Sequence, residues 1–251
     1  MALCDLRYFS PALGKMTAAM LILPETGAGP FPTFYLLHGL SDDHTAWTRK
    51  TSLERYAQGY PFIIVMPDGG KSYYADSPDG DAYETAIIHD LVRYIDHTFQ
   101  TDARPAARAI GGLSMGGYGA LKLGLGHPDL FRSVTSHSCS RAVTWAHEPD
   151  TTEDRFIRAF GSQPQGGPND LFALAARIDR AALPALNLDC GDDDDLLSVN
   201  RRFHAHLEAL HIPHTYHEYP GGHTWTYWDQ RIQEALLFHA RALGLPAGEG
   251  S

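Results

Sequence analysis

The chain predicts an α/β fold with a mostly parallel central sheet covered by helices on both faces. Three observations carry that prediction. Short apolar or β-branched runs bounded by Gly and Pro recur along the chain, helix-period stretches separate several of them, and 251 residues at 43% hydrophobic content suffice for one sizeable core. The strand-like runs are Thr17 to Leu23, Thr33 to Leu37, Phe62 to Met66, Ala106 to Ile110, Ser133 to Ser136, Ala185 to Leu188 and Thr215 to Tyr219. The Pro-Ala-Leu-Gly turn at 11–14 joins the first of these to the preceding run as an antiparallel hairpin at the sheet edge. Helix periodicity appears in Tyr83 to Phe99, apolar at Ile87, Ile88, Leu91, Val92 and Ile95, and again in Met115 to Gly126, Leu196 to Leu210 and Trp225 to Leu243. Residues 138–184 break the rhythm with a short helical pattern (Thr152 to Phe160), a Gln-Pro-Gln-Gly-Gly-Pro loop and a second short helix (Asp170 to Ile178). That stretch is expected to be a small cap inserted over the sheet of a single domain spanning 1–251.

Charge narrows the partners. A net charge of −10, with only four lysines (Lys15, Lys50, Lys71, Lys122), repels nucleic acid and anionic membrane surfaces and leaves a small molecule as the expected partner. Nothing in the composition decides for or against a homo-oligomer. Cys4, Cys139 and Cys190 form no CxxC pair and an odd total, so free thiols in a reducing compartment are expected. Asp5 and Arg7 interrupt the apolar stretch that a signal peptide needs, and no run of 18 apolar residues occurs, so a cytoplasmic location is expected.

The chemistry is concentrated in Gly112-Leu113-Ser114-Met115-Gly116, a GxSxG pattern that follows a predicted strand and opens a predicted helix. A sharp strand-to-helix turn requires small residues on either side of a strained serine, and it pushes the hydroxyl out at the carboxyl end of the sheet. Serine alone is a weak nucleophile at neutral pH, so a base and an orienting acid must follow. Two strand-to-helix loops supply them in the order acid, then histidine: Asp192-Asp193-Asp194-Asp195, and Pro220-Gly221-Gly222-His223. Among 14 histidines, His204, His206, His211, His214 and His217 read as packing or surface residues, whereas His223 sits where it can reach over the sheet edge. His217, Glu218 and His223 do not make a zinc site, because the spacing is wrong for HExxH and Pro220-Gly221-Gly222 prevents a single helical face. No metal and no cofactor are expected. The four aspartates point in different directions and read as one orienting carboxylate within a loop that also caps the next helix. An ester oxyanion needs two backbone N–H donors, and position selects Met115, after the serine, and Leu40, in the loop after the Thr33 to Leu37 strand. His38 would shape that loop. Trp47 and Trp225, each close in sequence to a site element, are expected to wall an acyl pocket.

The motifs LLHGLSDDHTAW (36–47), MPDGGKSYY (66–74), AIGGLSMGGYGALKL (109–123), CGDDDDLL (190–197) and YPGGHTWTYW (219–228) together resemble the putative esterase family of α/β-hydrolases. That family includes S-formylglutathione hydrolases, bacterial tributyrin and feruloyl esterases, and mycolyltransferases. The resemblance implies an α/β-hydrolase fold and a Ser-His-Asp triad of Ser114, His223 and Asp194. It lays the acid on Asp194 rather than on Asp192, Asp193 or Asp195, although aspartate at all four places leaves a shift of one residue open. It further implies a short-chain serine carboxylesterase acting through an acyl-enzyme. The rivals are an S-formylglutathione hydrolase-type thioesterase, a feruloyl or acetyl sugar esterase, an acyltransferase, and a binding protein on a retired hydrolase fold. Asp42, Asp43, Asp68 and Asp192 to Asp195 outnumber Arg49, Lys50 and Lys71 in the site loops, so a negative site mouth favouring neutral esters over S-formylglutathione is expected.

Overall fold

The computed structural model describes residues 1–25, 27–78, 80–147 and 153–245. Eight strands form one sheet in the order β1-β2-β4-β3-β5-β6-β7-β8. β1 (Ala2–Ser10) and β2 (Lys15–Leu23) pair antiparallel as the edge hairpin, and β2 pairs antiparallel with β4 (Ile63–Pro67). From β4 onward through β3 (Thr33–Leu37), β5 (Arg108–Leu113), β6 (Ser133–His137), β7 (Ala185–Gly191) and β8 (Thr215–Tyr219) every pairing is parallel.

Every residue of β3, β4, β5 and β6 is buried, as parallel strands covered on both faces must be. Alternation along β3 sends Tyr35 and Leu37 into one apolar core and Phe34 and Leu36 into the other. The second core holds α1 (Ala46–Lys50), α2 (Leu53–Ala57) and the C-terminal α10, described below. α3 (Tyr83–Thr85) leads through a π-turn over Ala86–Leu91 into α4 (Val92–Thr98), and the first core holds the π-turn, α4 and then α5 (Met115–Gly126). The continuous α-helix expected over Tyr83 to Phe99 is thus interrupted. The π-turn carries Asp90, whose carboxylate accepts from Ser10 Oγ at 2.5 Å and Ala12 N at 2.9 Å and so ties this helix to the β1–β2 turn. The strand expected from Ala106 begins at Arg108 instead, because Pro105–Ala107 form a single 3-10 turn.

Residues 138–184 carry α6 (Ala142–Trp145), α7 (Asp154–Phe160) and α8 (Leu171–Arg177). The expected start of α7 at Thr152 lies outside the described residues. Asp170 caps α8, accepting from Phe172 N and Ala173 N, which sets its start one residue later than the apolar pattern suggested. α9 (Leu197–Ala209) follows β7, and α10 (Trp225–Ala242) follows β8. Among the described residues no helix is long and apolar enough to cross a membrane.

Candidate active site

Ser114 separates β5 from α5 and holds φ 53° and ψ −114°, a conformation that L-residues adopt only when their surroundings impose it. Its N–H donates to the His137 carbonyl at 2.9 Å, and its own carbonyl accepts from Tyr118 N at 3.0 Å and Ser140 N at 3.1 Å. The flanking glycines allow the close approach. A Cβ on Gly116 would lie 2.5 Å from the Leu37 oxygen and 2.7 Å from that of His38, and one on Gly112 would lie 2.6 Å from the Gly116 oxygen. No side chain fits there, and the hydroxyl is presented at the carboxyl edge of the sheet.

Two later loops reach the same point. His223 Nε2 lies 3.0 Å from Ser114 Oγ, and His223 Nδ1 lies 2.9 Å from Asp194 Oδ2. A carboxylate only accepts, so Nδ1 carries the proton and Nε2 is left to accept from the serine. Burial pushes the Asp194 carboxyl up, but hydrogen bonds from His223 and the Leu196 N–H, together with the nearby imidazole, outweigh it and hold the group below its ordinary value. The Leu196 N–H reaches Asp194 Oδ1 at 2.8 Å and fixes the carboxylate's other oxygen. Asp192 Oδ1 instead accepts from Gly221 N at 3.0 Å, tying the acid loop to the histidine loop. Trp228 stands edge-on to the His223 ring at 4.8 Å and donates through Nε1 to Ser138 Oγ at 3.3 Å, closing the space behind the imidazole.

Leu40 and Met115 both border the cavity at Ser114. Met115 opens α5, so its N–H has no partner within the helix. The loop carrying Leu40 is braced by His38, which is 1% exposed. Its Nε2 accepts from Gly69 N at 2.9 Å, which leaves Nδ1–H to donate to the Gly39 carbonyl at 2.7 Å. Tyr74, from the same MPDGGKSYY segment as Gly69, donates to the His38 carbonyl at 3.0 Å. That segment therefore holds the loop beside the serine in place.

The tryptophans separate. Trp225 and Trp228 line the cavity, whereas Trp47 is 1% exposed and does not reach it. Its indole donates to the Leu37 carbonyl at 3.1 Å and backs Trp225 edge-to-face at 5.3 Å, so it supports the wall rather than forming it. α1 turns Trp47 into the core beneath β3, which spacing from LLHGL could not reveal.

The cavity has a volume of about 510 Å³. Among the described residues, its lining carries three carboxylates, Asp42, Asp194 and Asp195, and two guanidinium groups that Glu153 also faces, Arg141 at 3.4 Å and Arg155 at 2.7 Å. Asp43 is occupied by Thr45 Oγ1 at 2.5 Å and by Arg49, Asp68 accepts from Gly70 N, and Asp192 is tied to Gly221. Arg141 and Arg155, both from 138–184, line the cavity opposite Asp42, Asp194 and Asp195. Burial raises the Asp42 carboxyl above its ordinary value. Tyr73 and Ser140 complete a lining that sequence reasoning had not assigned. Ser140 and Arg141 lie in the loop that follows β6, past Ser138 and Cys139, and their place beyond the carboxyl end of a strand was the available signal.

A strained serine at a strand-to-helix turn, hydrogen-bonded through a histidine to an aspartate at the edge of a doubly covered parallel sheet, defines a serine hydrolase of the α/β-hydrolase class. The chain belongs to the putative esterase family, whose model matches residues 10–239, and it is a carboxylic ester hydrolase. An acetyl esterase of Caldicellulosiruptor saccharolyticus is 26% identical, with 94% of this chain and 97% of that protein covered. The substrate-bound structure of FphF, a fluorophosphonate-binding serine hydrolase of Staphylococcus aureus, superposes with a TM-score of 0.84 at 30% identity, covering 95% of this chain and 98% of that one. An S-formylglutathione hydrolase of the same organism gives a TM-score of 0.82 at 30% identity over the same shares.

Proposed function

We propose that this protein is a cytoplasmic serine carboxylesterase for short-chain acyl esters, with Ser114 as nucleophile, His223 as general base and acid, and Asp194 as the group that orients the imidazole. The continuous hydrogen-bonded chain from Ser114 Oγ through His223 to Asp194 carries this reading. Ser114 Oγ attacks the ester carbonyl while its proton passes to His223 Nε2, and the Leu40 and Met115 N–H groups receive the developing oxyanion. As the carbonyl re-forms, the bond to the alcohol breaks and His223 returns the proton to the leaving oxygen. Water then repeats the sequence on the acyl-enzyme, releasing the acid and free Ser114. Asp194, held ionised, favours the tautomer with the proton on Nδ1 and stabilises the imidazolium. None of these steps calls for a metal or a cofactor.

Residues 138–184 act as a cap on a single domain in this reading, since Ser140, Arg141 and Arg155 of that segment line the site. Trp225 forms part of the substrate wall. Three cysteines without a disulfide among them suit a reducing compartment. Thioester hydrolysis is the second reading, and Arg141 and Arg155 in the cavity are the observation that favours it.

A fluorophosphonate should label Ser114 alone, detected by peptide mass. The Ser114→Ala variant should lose the label and roughly 10⁶-fold in kcat on 4-nitrophenyl acetate, with its melting midpoint near that of the unsubstituted protein. Residual activity above about a tenth would remove Ser114 from the mechanism.

A further inference from the structure

A second cavity, of about 530 Å³, adjoins the site and, among the described residues, shares Leu40 and Arg155 with it. We propose that this cavity binds an anionic group at the far end of the substrate's acyl chain, so that the preferred substrates include half-esters of short dicarboxylic acids. The inference rests on the esterase reading above and extends it to the substrate.

The charge of the lining is the first argument. Among the described residues, Lys71, Arg155 and Arg158 face a single carboxylate, Asp81, in a protein whose net charge is −10. Asp81 already has Lys15 at 3.9 Å, and Arg155 is answered by Glu153 at 2.7 Å. Lys71 and Arg158 have no carboxylate partner among the described residues, and they leave the cavity in search of a counter-charge. Tyr83 and Ser72 add hydroxyl groups to the same wall. A carboxylate there would gain two cations without displacing an existing ion pair.

Position is the second argument. His223 must return its proton to the leaving oxygen, so the alcohol departs on the side walled by His223, Trp225 and Trp228. None of those three borders the second cavity. It lies instead beyond Leu40, whose N–H is assigned to the oxyanion, and the acyl chain is the arm of the ester that runs away from the imidazole.

The test compares 4-nitrophenyl hemiglutarate and hemiadipate with their methyl-capped, neutral counterparts, reading 4-nitrophenolate release. The anionic member of each pair should have a kcat/KM roughly tenfold higher at low ionic strength, and the preference should collapse at about 0.5 M NaCl. In a Lys71→Gln/Arg158→Gln variant the anionic-to-neutral ratio should fall roughly tenfold, and Lys71→Glu alone should lower it in the same direction. Using a ratio within each variant separates this effect from any change in folding. An unchanged ratio in the double variant would overturn the proposal. So would a charge preference that appears only when the carboxylate is on the leaving phenol, as in 4-acetoxybenzoate against its methyl ester. If the neutral esters themselves are not hydrolysed by the unsubstituted protein, the esterase reading fails and the subsite falls with it.

Discussion

At the scale of single residues, the aspartate run shows how one carboxylate among four is selected. Asp192, Asp193, Asp194 and Asp195 are chemically identical, and the residues alone could assign the acid only to the run. The structure separates them by what each oxygen meets. Both oxygens of Asp194 are used, Oδ2 by His223 at 2.9 Å and Oδ1 by the Leu196 N–H at 2.8 Å, and its side chain is 0% exposed. Asp194→Asn should therefore lower kcat by roughly 10⁴-fold, because an amide opposite Nδ1 favours the wrong imidazole tautomer. The same change at Asp193 or Asp195 should cost far less, and at Asp192 it should act through the loop contact to Gly221. Steady-state kinetics on 4-nitrophenyl acetate checks the set. Greatest sensitivity at Asp193 or Asp195 would move the acid by one residue.

At the scale of elements, two packing contacts decide whether the site is assembled. The first is the crossing of α5 beneath the end of β3, where Gly116 meets the Leu37 and His38 oxygens. Gly116→Ala places a methyl group 2.5 Å from a backbone carbonyl that cannot rotate away. The expected cost is about 1–3 kcal/mol or more, read by urea unfolding, with activity falling further because the same shift displaces the Leu40 loop. The second contact is the docking of α10 through His239. Its Nδ1 lies 2.8 Å from Ser133 Oγ and its Nε2 3.0 Å from Thr135 Oγ1, at 0% exposure. Burial, with His137 adding to it, lowers the His239 pKa from 6.5 to about 3. The unfolded ring takes up a proton near 6.5 while the folded ring stays neutral to about 3, so the unfolded state binds more protons across that window. Stability is then full above pH 6.5 and declines as the pH falls, with this residue contributing at most about 1.4 kcal/mol per pH unit. His239→Gln keeps a donor and an acceptor but does not titrate, and it should flatten the slope between pH 6.5 and 5. Equal slopes in urea unfolding series would show that His239 is not the proton sink. Elements of this kind were legible where local sequence determines them. The elbow, the parallel strands and α10 follow from glycine placement and hydrophobic period. The π-turn, α1 and α2 did not, because short or irregular turns are fixed by tertiary contacts such as that of Asp90 with the β1–β2 turn.

At the scale of the whole molecule, the sequence placed the proposed reacting groups in strand-to-helix loops but gave no sign of the arginines that border them. Ser114, Asp194 and His223 follow β5, β7 and β8 at one sheet edge, so topology brings them together. Arg141, Arg155 and Arg158 belong to the 138–184 segment, whose seating over the edge has no periodic signal, and they supply the cations that the loop count omitted. The same segment is expected to set acyl length. Phe156 and Phe160 of α7 pack on Tyr73 at 5.2 and 5.5 Å, and Trp145 of α6 packs on both phenylalanines. This aromatic cluster packs the inside of the segment against Tyr73, which lines the site. A neutral acyl chain therefore gains at most about 0.8 kcal/mol per methylene, or roughly fourfold, while apolar wall lasts. Beyond that it meets Lys71, Arg155 and Arg158, where a methylene desolvates cations without pairing them. For the neutral 4-nitrophenyl series from acetate to laurate, kcat/KM should peak between acetate and butyrate and fall by octanoate. A maximum at decanoate or longer would mean that the cap opens a channel past Tyr73, and a Phe156→Ala variant would then leave that maximum unmoved rather than shifting it to longer chains.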